Sequence, residues 1–494
     1  MGGRLRIRQA GQALLSALGR FARMRLTRQA PRHRKVLKAR WSAGLAGREA
    51  SAAPTTALVS AAEAIGELAA NSLGQAATSD LNGIGNHDTL AQLLARSQTG
   101  WMETARQTLG RAGPASSALR RIEAAVETPS VAGQDSELRG LLEHLAREAT
   151  PLPLSWWLMA HTRLFRAGRI EASWAAKEGA ARAALRDPQL RADVHANAEL
   201  LLAAAVQLGG DTLIEETLGT IEHAAIGKPV APDRLDRMRL EALIETGRYS
   251  EARDLFAPRM TNADAAFAAA VAGRRLAVVG PALNRHENGA RIDAADLVVR
   301  TNFIDSAEFG RKSGMLGRRT DIAYYNSKLR HLRAADVLRT LEAFPQLRPV
   351  FRAGRNPADD LGGAPRERIR FHHVFGSVFF GRGYALRHVL SDLVLFPVAG
   401  MTIYGVDFFL GPRTHFGGYL DSSTGQLRSY IAHDVRDTWR FARRLKQQGL
   451  LAADQTASAI LDREQPEFAA LIAERLRRHG GKRSKAALPS ADPA

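Results

Sequence analysis

The sequence predicts a multidomain α + α/β protein, with a helical, repeat-like N-terminal half ahead of an α/β C-terminal half. Three observations carry that expectation. Ala, Leu, Glu and Arg dominate residues 49–265, where apolar residues recur at intervals of three and four and β-branched runs are rare, which is the period of helices. Leu276 to Phe303 holds two short apolar runs, LAVVG and DLVVRTNF, each stopped by turn-forming residues as strands are. With 494 residues and 45% hydrophobic content, the chain has core material for two or three domains.

Residues 1–48 contain no Asp or Glu but thirteen Lys or Arg. Within LRIRQAGQALLSALGRFARMRL, a helix places Leu14, Leu15, Leu18, Phe21 and Met24 broadly on one side. A basic amphipathic helix of this kind suits an anionic membrane surface. A disordered basic tail with no partner fits the same composition. The net charge of +19 raises nucleic acid as a partner, but aromatic residues make up only 6% and no basic recognition motif is present, so none is expected.

Residues 49–265 carry weak internal repeats. Phe165-Arg166-Ala167-Gly168-Arg169-Ile170-Glu171-Ala172, Gly209-Gly210-Asp211 and Thr246-Gly247-Arg248-Tyr249-Ser250-Glu251-Ala252 read as helix-turn-helix joints about forty residues apart. The last resembles the turn and second helix of a tetratricopeptide repeat, although the period is longer than usual and signature positions are missing. A degenerate α-solenoid would offer a concave surface to a partner or acceptor. A plain helical domain supporting the C-terminal half fits the same residues.

Pro258 to Asn262 approaches a boundary, and a short helix over Ala263 to Ala272 leads into the α/β unit, residues 266–451. LAVVG is halted at Gly280, where the chain must turn, and DLVVRTNF delivers Arg300 and Asn302 to the same sheet edge. Ligands of open α/β sheets bind beyond the carboxyl ends of strands, so Gly280, Asn284 and Asn302 are nucleotide-binding candidates. The dinucleotide fingerprint fails, because Ala282 and Arg285 stand where glycines are needed, which argues against a nicotinamide enzyme. Gly381-Arg382-Gly383 opens YALRHVLSDLVLFPVAGMTIYGVDFF, a turn, a helix and a strand ending at Tyr404-Gly405. A helix start behind a glycine turn suits a phosphate, which makes Gly381, Arg382 and Gly383 further candidates. His415 falls in a polar, Gly-rich stretch, and His433 falls near the start of an amphipathic helix with Asp437 four residues on. Helices follow over 452–478, with Pro466 well placed to open the last one, and 479–494 reads as a disordered polar tail.

These segments together resemble the sialylmotifs of animal-type sialyltransferases. The large motif is matched by Ala277 to Gly280, Asn284, Gly289, Ile292, Asp293, Asp296, Val298, Arg300 and Asn302, and its later part by Gly317-Arg318-Arg319-Thr320 before Tyr324-Tyr325. Gly383 and Tyr404-Gly405 fit the small motif, in which Gly381 and Arg382 replace a Ser and a Thr. His415 with Phe416 and Tyr419 is similar to the third motif, and His433 to the very small motif. Pro281 stands where the large motif has its first Asn, and Asp437 replaces a Glu five residues after the histidine.

The resemblance implies a Rossmann-like glycosyltransferase domain and an inverting, metal-independent transfer from a CMP-sugar. His433 would be the general base, since imidazole titrates near physiological pH. His415 would stabilise charge developing on the departing phosphate. The donor would be CMP-sialic acid, or CMP-Kdo, which presents a similar leaving group and carboxylate; the acceptor would be a hydroxyl of a glycan or lipid. Arg300, Arg318, Arg319 and Arg382 are candidates for the sugar carboxylate. A divalent metal would call for an Asp-x-Asp at a strand end, and Tyr404-Gly405-Val406-Asp407 offers a single carboxylate, so no metal and no other cofactor is expected.

The animal enzymes join their two larger motifs by a disulfide, whereas this chain has no cysteine and carries Leu276 at the large-motif position. That fits a reducing compartment. No run of eighteen apolar residues is present, so a cytoplasmic protein, peripheral at most to the inner membrane, is expected. The rival expectation is a catalytically inactive transferase-like domain carried by a helical-repeat scaffold.

Overall fold

A computed structural model describes residues 114–127, 134–147, 152–226, 232–282, 286–326, 334–352, 369–372, 379–380, 383–411 and 434–480, all within one compact unit, Asp80–Ala494. The basic segment 1–48 and the tail from 481 onward lie outside the described residues.

The helical half comprises α1 Pro114–Glu127, α2 Gln134–Arg147, α3 Leu154–Arg166, α4 Ile170–Arg186, the short α5 Pro188–Ala192, α6 Ala198–Leu208, α7 Asp211–Ala225, α8 Pro232–Glu245, α9 Tyr249–Phe256 and α10 Asn262–Val271. The joints singled out in the sequence are left-handed glycines: Gly168, Gly209 and Gly247 have φ of 77°, 72° and 76°, a conformation glycine adopts without steric penalty. Helix α6, AELLLAAAVQL, is apolar almost all round and is accordingly enclosed, whereas α7 buries only Ile214 and Ile221 and lies at an edge. Helix α10 starts with a reciprocal capping box between Thr261 and Asp264.

The α/β half runs β1 Arg275–Val279, α11 Gly289–Asp293, β2 Leu297–Thr301, α12 Ala307–Arg311, α13 Ser313–Leu316, β3 Ile322–Tyr325, α14 Ala334–Ala343, β4 Arg348–Arg352, β5 Arg370–His372, α15 Ala385–Leu393, β6 Gly400–Tyr404, α16 Val435–Gln447, β7 Leu451–Ala453, α17 Gln455–Leu461 and α18 Gln465–Gly480. The last helix thus extends into the segment read as tail. The strands form one seven-stranded sheet in the order β5-β4-β3-β2-β1-β6-β7, with every pairing parallel. A parallel sheet needs cover on both faces, which explains why its strands read as continuous apolar runs rather than as alternating ones.

Strand residues divide between two cores. Leu276, Val278, Val299, Ile322, Tyr324, Val350, Met401 and Ile403 face the larger one. Ala277, Val279, Val298, Ala323, Tyr325, Phe351 and Tyr404 face a smaller one, closed by Val337 and Leu341 of α14. The larger core includes Phe165, Ile170, Trp174, Leu240, Ile244 and Phe256 of the helical half, so the two halves that composition separates near residue 265 share apolar packing. Trp439 of α16 stacks on Phe468 of α18 at 4.8 Å between ring centroids, and Trp174 of α4 stacks on the same ring at 6.1 Å. Burying three large aromatic side chains together stabilises this junction by several kcal/mol, at roughly 25 cal/mol per Å² of apolar surface. Among the described residues, no helix is long and apolar enough to cross a membrane.

Candidate functional site

Strand order reverses between β1 and β6, the two strands that continue in opposite directions across the sheet. In such sheets the crevice at the carboxyl ends of the two strands is where ligands bind. Here Gly280 ends β1 and Gly405 ends β6, and the two exits are in near contact. The Gly280 N–H donates to Tyr404 O at 2.8 Å, and the Ala282 N–H donates to Gly405 O at 3.0 Å. A Cβ on Gly280 would lie 2.5 Å from Gly405 O, and one on Gly405 would lie 2.9 Å from Gly280 O. Only glycine fits at Gly280, so its place in the sequence pattern has a steric cause.

Asp454, at the end of β7, ties this crevice together. Its Oδ2 accepts from the Gly405 N–H at 3.0 Å and from Asn288 Nδ2 at 3.4 Å, while Oδ1 caps α17 through the Ala457 N–H at 2.9 Å. Sequence reasoning did not single out Asp454 or Asn288. The cap signal of Asp454 before an Ala-rich helix is legible; its reach to Gly405 is not.

Beyond β6 the chain is strained. Phe408 and Phe409 have φ of 48° and 61°, left-handed values that cost a non-glycine residue roughly 1–2 kcal/mol each. The Asp407 carboxylate holds them there, accepting from the Phe409 N–H at 2.9 Å and the Gly411 N–H at 3.0 Å. Burial pushes the Asp407 carboxyl up to about 6, against the lowering effect of those N–H groups. Strain of this kind concentrates at functional sites, and the signal in YGVDFFLG was too local to reveal it.

At the end of β2, Asn302 is 4% exposed and has φ of 51°, a conformation for which asparagine is enriched. Its N–H donates to Tyr324 O at 2.7 Å, and its Oδ1 accepts from the Asn326 N–H at 2.9 Å, linking the ends of β2 and β3. Nearby, Tyr325 Oη is buried without a hydrogen-bond partner among the described residues, and burial pushes its phenol above the ordinary value.

Many motif residues brace the β1–β2–β3 unit. Asp293 accepts from the Arg318 and Arg319 N–H groups at 2.9 and 3.0 Å, and Asp296 from the Arg275 N–H at 2.8 Å. A Cβ on Gly289 would lie 2.2 Å from Ser313 O. Arg300 is buried and donates to Leu316 O, Arg319 O and Thr320 Oγ1. Arg319 donates to Asp293 O, Ala295 O, Asp296 O and Asp321. Two of the four arginines considered for a sugar carboxylate are therefore committed to the fold; the Arg318 side chain is exposed.

Gly383 precedes α15, whose N-cap residue Tyr384 makes no side-chain cap, and a Cβ on Gly383 would press on Arg387 Cγ at 3.1 Å. Asn284, Gly381, Arg382, His415 and His433 lie outside the described residues, so Gly280, Asn302 and Gly383 are the sequence candidates whose surroundings are described. The chain leaves for 412–433 from Gly411 and returns at Asp434, the N-cap of α16, whose Oδ1 accepts from the Asp437 N–H at 3.0 Å. Asp437 itself accepts from Arg387 Nε at 3.2 Å. Among the described residues, no group of three or more His, Asp or Glu side chains is arranged to hold a metal ion.

Compared with known proteins, the chain matches no family model, and no curated sequence matches it either.

Proposed function

We propose that this protein is a sialyltransferase-like glycosyltransferase that moves sialic acid or a related keto-sugar from its CMP form to a glycan or lipid hydroxyl. The observation that carries the reading is the β1/β6 crevice. It lies at the switch point of a parallel sheet, it is lined by Gly280 and Gly405, and the chain leaving β6 there runs into the left-handed residues Phe408 and Phe409. Those two glycines also occupy matching positions of the large and small sialylmotifs.

In the proposed reaction, His433 takes the acceptor proton as the hydroxyl oxygen forms a bond to the anomeric carbon. The bond to the CMP phosphate oxygen breaks with its electron pair, and the configuration inverts. His415 stabilises the phosphate as charge develops. Gly280, Asn284, Asn302, Gly381, Arg382 and Gly383 form the donor nucleotide site, with Asn302 Nδ2 as the atom of that amide that reaches the ligand. No metal takes part. The helical half is read as a degenerate solenoid of tetratricopeptide-like hairpins, and residues 1–48 as a contact with an anionic membrane on the cytoplasmic side.

A second reading, an inactive transferase-like domain in a helical scaffold, is favoured by Pro281 and by the pairing of Asp437 with Arg387. Calorimetric titration with CMP, CMP-sialic acid, CMP-Kdo and NAD separates the two. Tightening by one CMP-sugar, and loss of turnover in His433→Ala with CMP binding retained, supports the transferase. No heat from any cytidine compound overturns it in favour of the scaffold, and selective binding of NAD would restore the nicotinamide reading.

A further inference from the structure

Helix α16 begins where the segment containing His433 ends, and the helical half holds it along its length. Lys177 of α4, 2% exposed, donates from Nζ to Asp434 Oδ2 at 2.5 Å across 257 residues of sequence. Glu178 accepts from Arg436 Nη2 at 2.6 Å. At the end of α6, Gln207 O accepts from Arg440 Nη1 at 3.3 Å, and a Cβ on Gly209 would lie 2.5 Å from Arg440 Nη2. At the end of α8, Glu245 accepts from Arg444 Nη2 at 3.0 Å. A Cβ on Gly247 would lie 2.6 Å from Gln448 Nε2. Residues 436, 440, 444 and 448 recur every fourth position and so share one side of the helical path. Arg436 meets the middle of α4, and the later ones meet the hairpin joints at Gly209 and Gly247 in order.

Two of the left-handed glycines that mark the repeat, Gly209 and Gly247, are therefore also places where side chains of α16 and its C-cap press on the hairpins. Along these residues the hairpins are covered by the chain's own helix.

We infer that Lys177 is a positioning residue for the proposed transfer, fixing from the helical half the point at which the His433 segment re-enters the fold. The inference rests on the transferase reading. Capping α16 requires only Asp434 and the Asp437 N–H; a buried lysine from a distant helix adds nothing to the cap but fixes where the cap stands. Asp434 directly follows His433 in sequence, so it is the described residue through which the helical half can act on that segment. The charged and titratable groups around the pair are the neutral His161 of α3, Glu178 of α4, and Arg436, Asp437 and Arg440 of α16. The halves would then form one catalytic unit, with the helical array serving as the jig for α16.

The test compares full-length wild type, Lys177→Met, Asp434→Asn and the double variant, following CMP release from CMP-sialic acid and from CMP-Kdo with lactose or water as acceptor. Lys177→Met alone strands a buried carboxylate and risks misfolding. The double variant removes both charges and keeps an asparagine cap. The expected result is a double variant with near-wild-type Tm and an unchanged KM for the CMP-sugar, but with kcat lowered about tenfold or more, as misplacement of a reacting group produces. Asp434→Asn is expected to show the same split between kcat and KM. If the wild type turns over and the folded double variant matches its kcat, the pair is merely structural and the inference falls alone. If the wild type releases CMP from neither donor, the transferase reading falls and takes the inference with it.

Discussion

The carbonyl oxygen of Gly405 lies 2.5 Å from where a side chain on Gly280 would begin. Both partners are backbone, so no rotamer change relieves the contact and the ends of β1 and β6 would have to part. Gly280→Ala is expected to lower stability by about 1–3 kcal/mol through overpacking. Gly405→Ala should lose more, because φ at Gly405 is 61° and a left-handed alanine adds roughly 1 kcal/mol. Urea unfolding with an unchanged m-value measures both. Calorimetry below the melting transition should show CMP affinity falling at least as far. A Gly280→Ala protein with wild-type stability would mean that the crevice is open.

How much of this was legible in the sequence depends on how local each cause is. Strands β1 and β2 were readable because LAVVG and LVVRT are apolar runs closed by Gly280 and Asn302. The helix preceding β1, expected over Ala263 to Ala272, forms as α10 over Asn262–Val271. Strand β4 contains Pro349, paired in register with Ala323, and β5 is three residues beginning at Arg370; neither looks like an interior strand by composition. The motif glycines and acids were visible, but their bracing roles were not. Asp293 pairing with the turn at Arg318, and Arg300 holding Leu316 O, depend on which loops the fold brings together. The docking of α16 on the hairpin joints was the least accessible, because Lys177 and Asp434 carry no mark of each other in sequence.

His161 should make the protein sensitive to acid. Its Nδ1 lies 2.9 Å from Ser173 O and 2.8 Å from Ser173 Oγ, while that hydroxyl donates to His161 O. The carbonyl can only accept, so the neutral ring is assigned its proton on Nδ1. Burial first, and then the charge of Lys177, bring its pKa down to about 4 from 6.5. Between those values the unfolded chain is protonated and the folded one is not, so stability is lost as pH falls, by about 3 kcal/mol in all. His161→Asn, whose amide replaces the Nδ1 donor, should change the slope of Tm between pH 6.5 and 4, its Tm gaining on that of the wild type as pH falls. An unchanged slope would remove His161 as its source.

Asp407 works in the opposite direction over nearly the same range. Its ordinary value is 3.8 and burial raises it to about 6, so between these values the folded state holds a proton that the unfolded state has released. Stability therefore declines as pH rises from about 4 to 6, again by about 3 kcal/mol. The wild-type Tm is then expected to be nearly flat from pH 4 to 6, because the two groups offset each other. Asp407→Asn should expose the His161 slope, with Tm rising steadily over that range. A flat profile in Asp407→Asn would show that this carboxyl titrates normally.

Arg370 holds the most heavily charged part of the core. It donates to Asp392 through Nη1 and Nη2 at 2.6 and 2.9 Å and to Asp264 through Nε at 2.7 Å, lying against both the Phe267 and Phe396 rings at 4.4 and 4.8 Å. Tyr324 donates to the same Asp392 at 2.5 Å. Burial alone would raise the Asp392 carboxyl, but Arg370 overcomes it and holds the carboxyl below its ordinary value of 3.8. In the wild type that contribution is complete above about pH 4 and is lost only as pH falls further. Arg370→Met removes the compensating charge and leaves buried carboxylates that favour protonation, which is expected to lower stability at pH 7 by about 3–5 kcal/mol. Because protonation then relieves the variant, its deficit should shrink as pH falls from 7 to 5, while this cluster contributes no slope to the wild type in that range. Parallel pH profiles for the two proteins would show that the arginine acts through packing on Phe267 and Phe396 and not through charge.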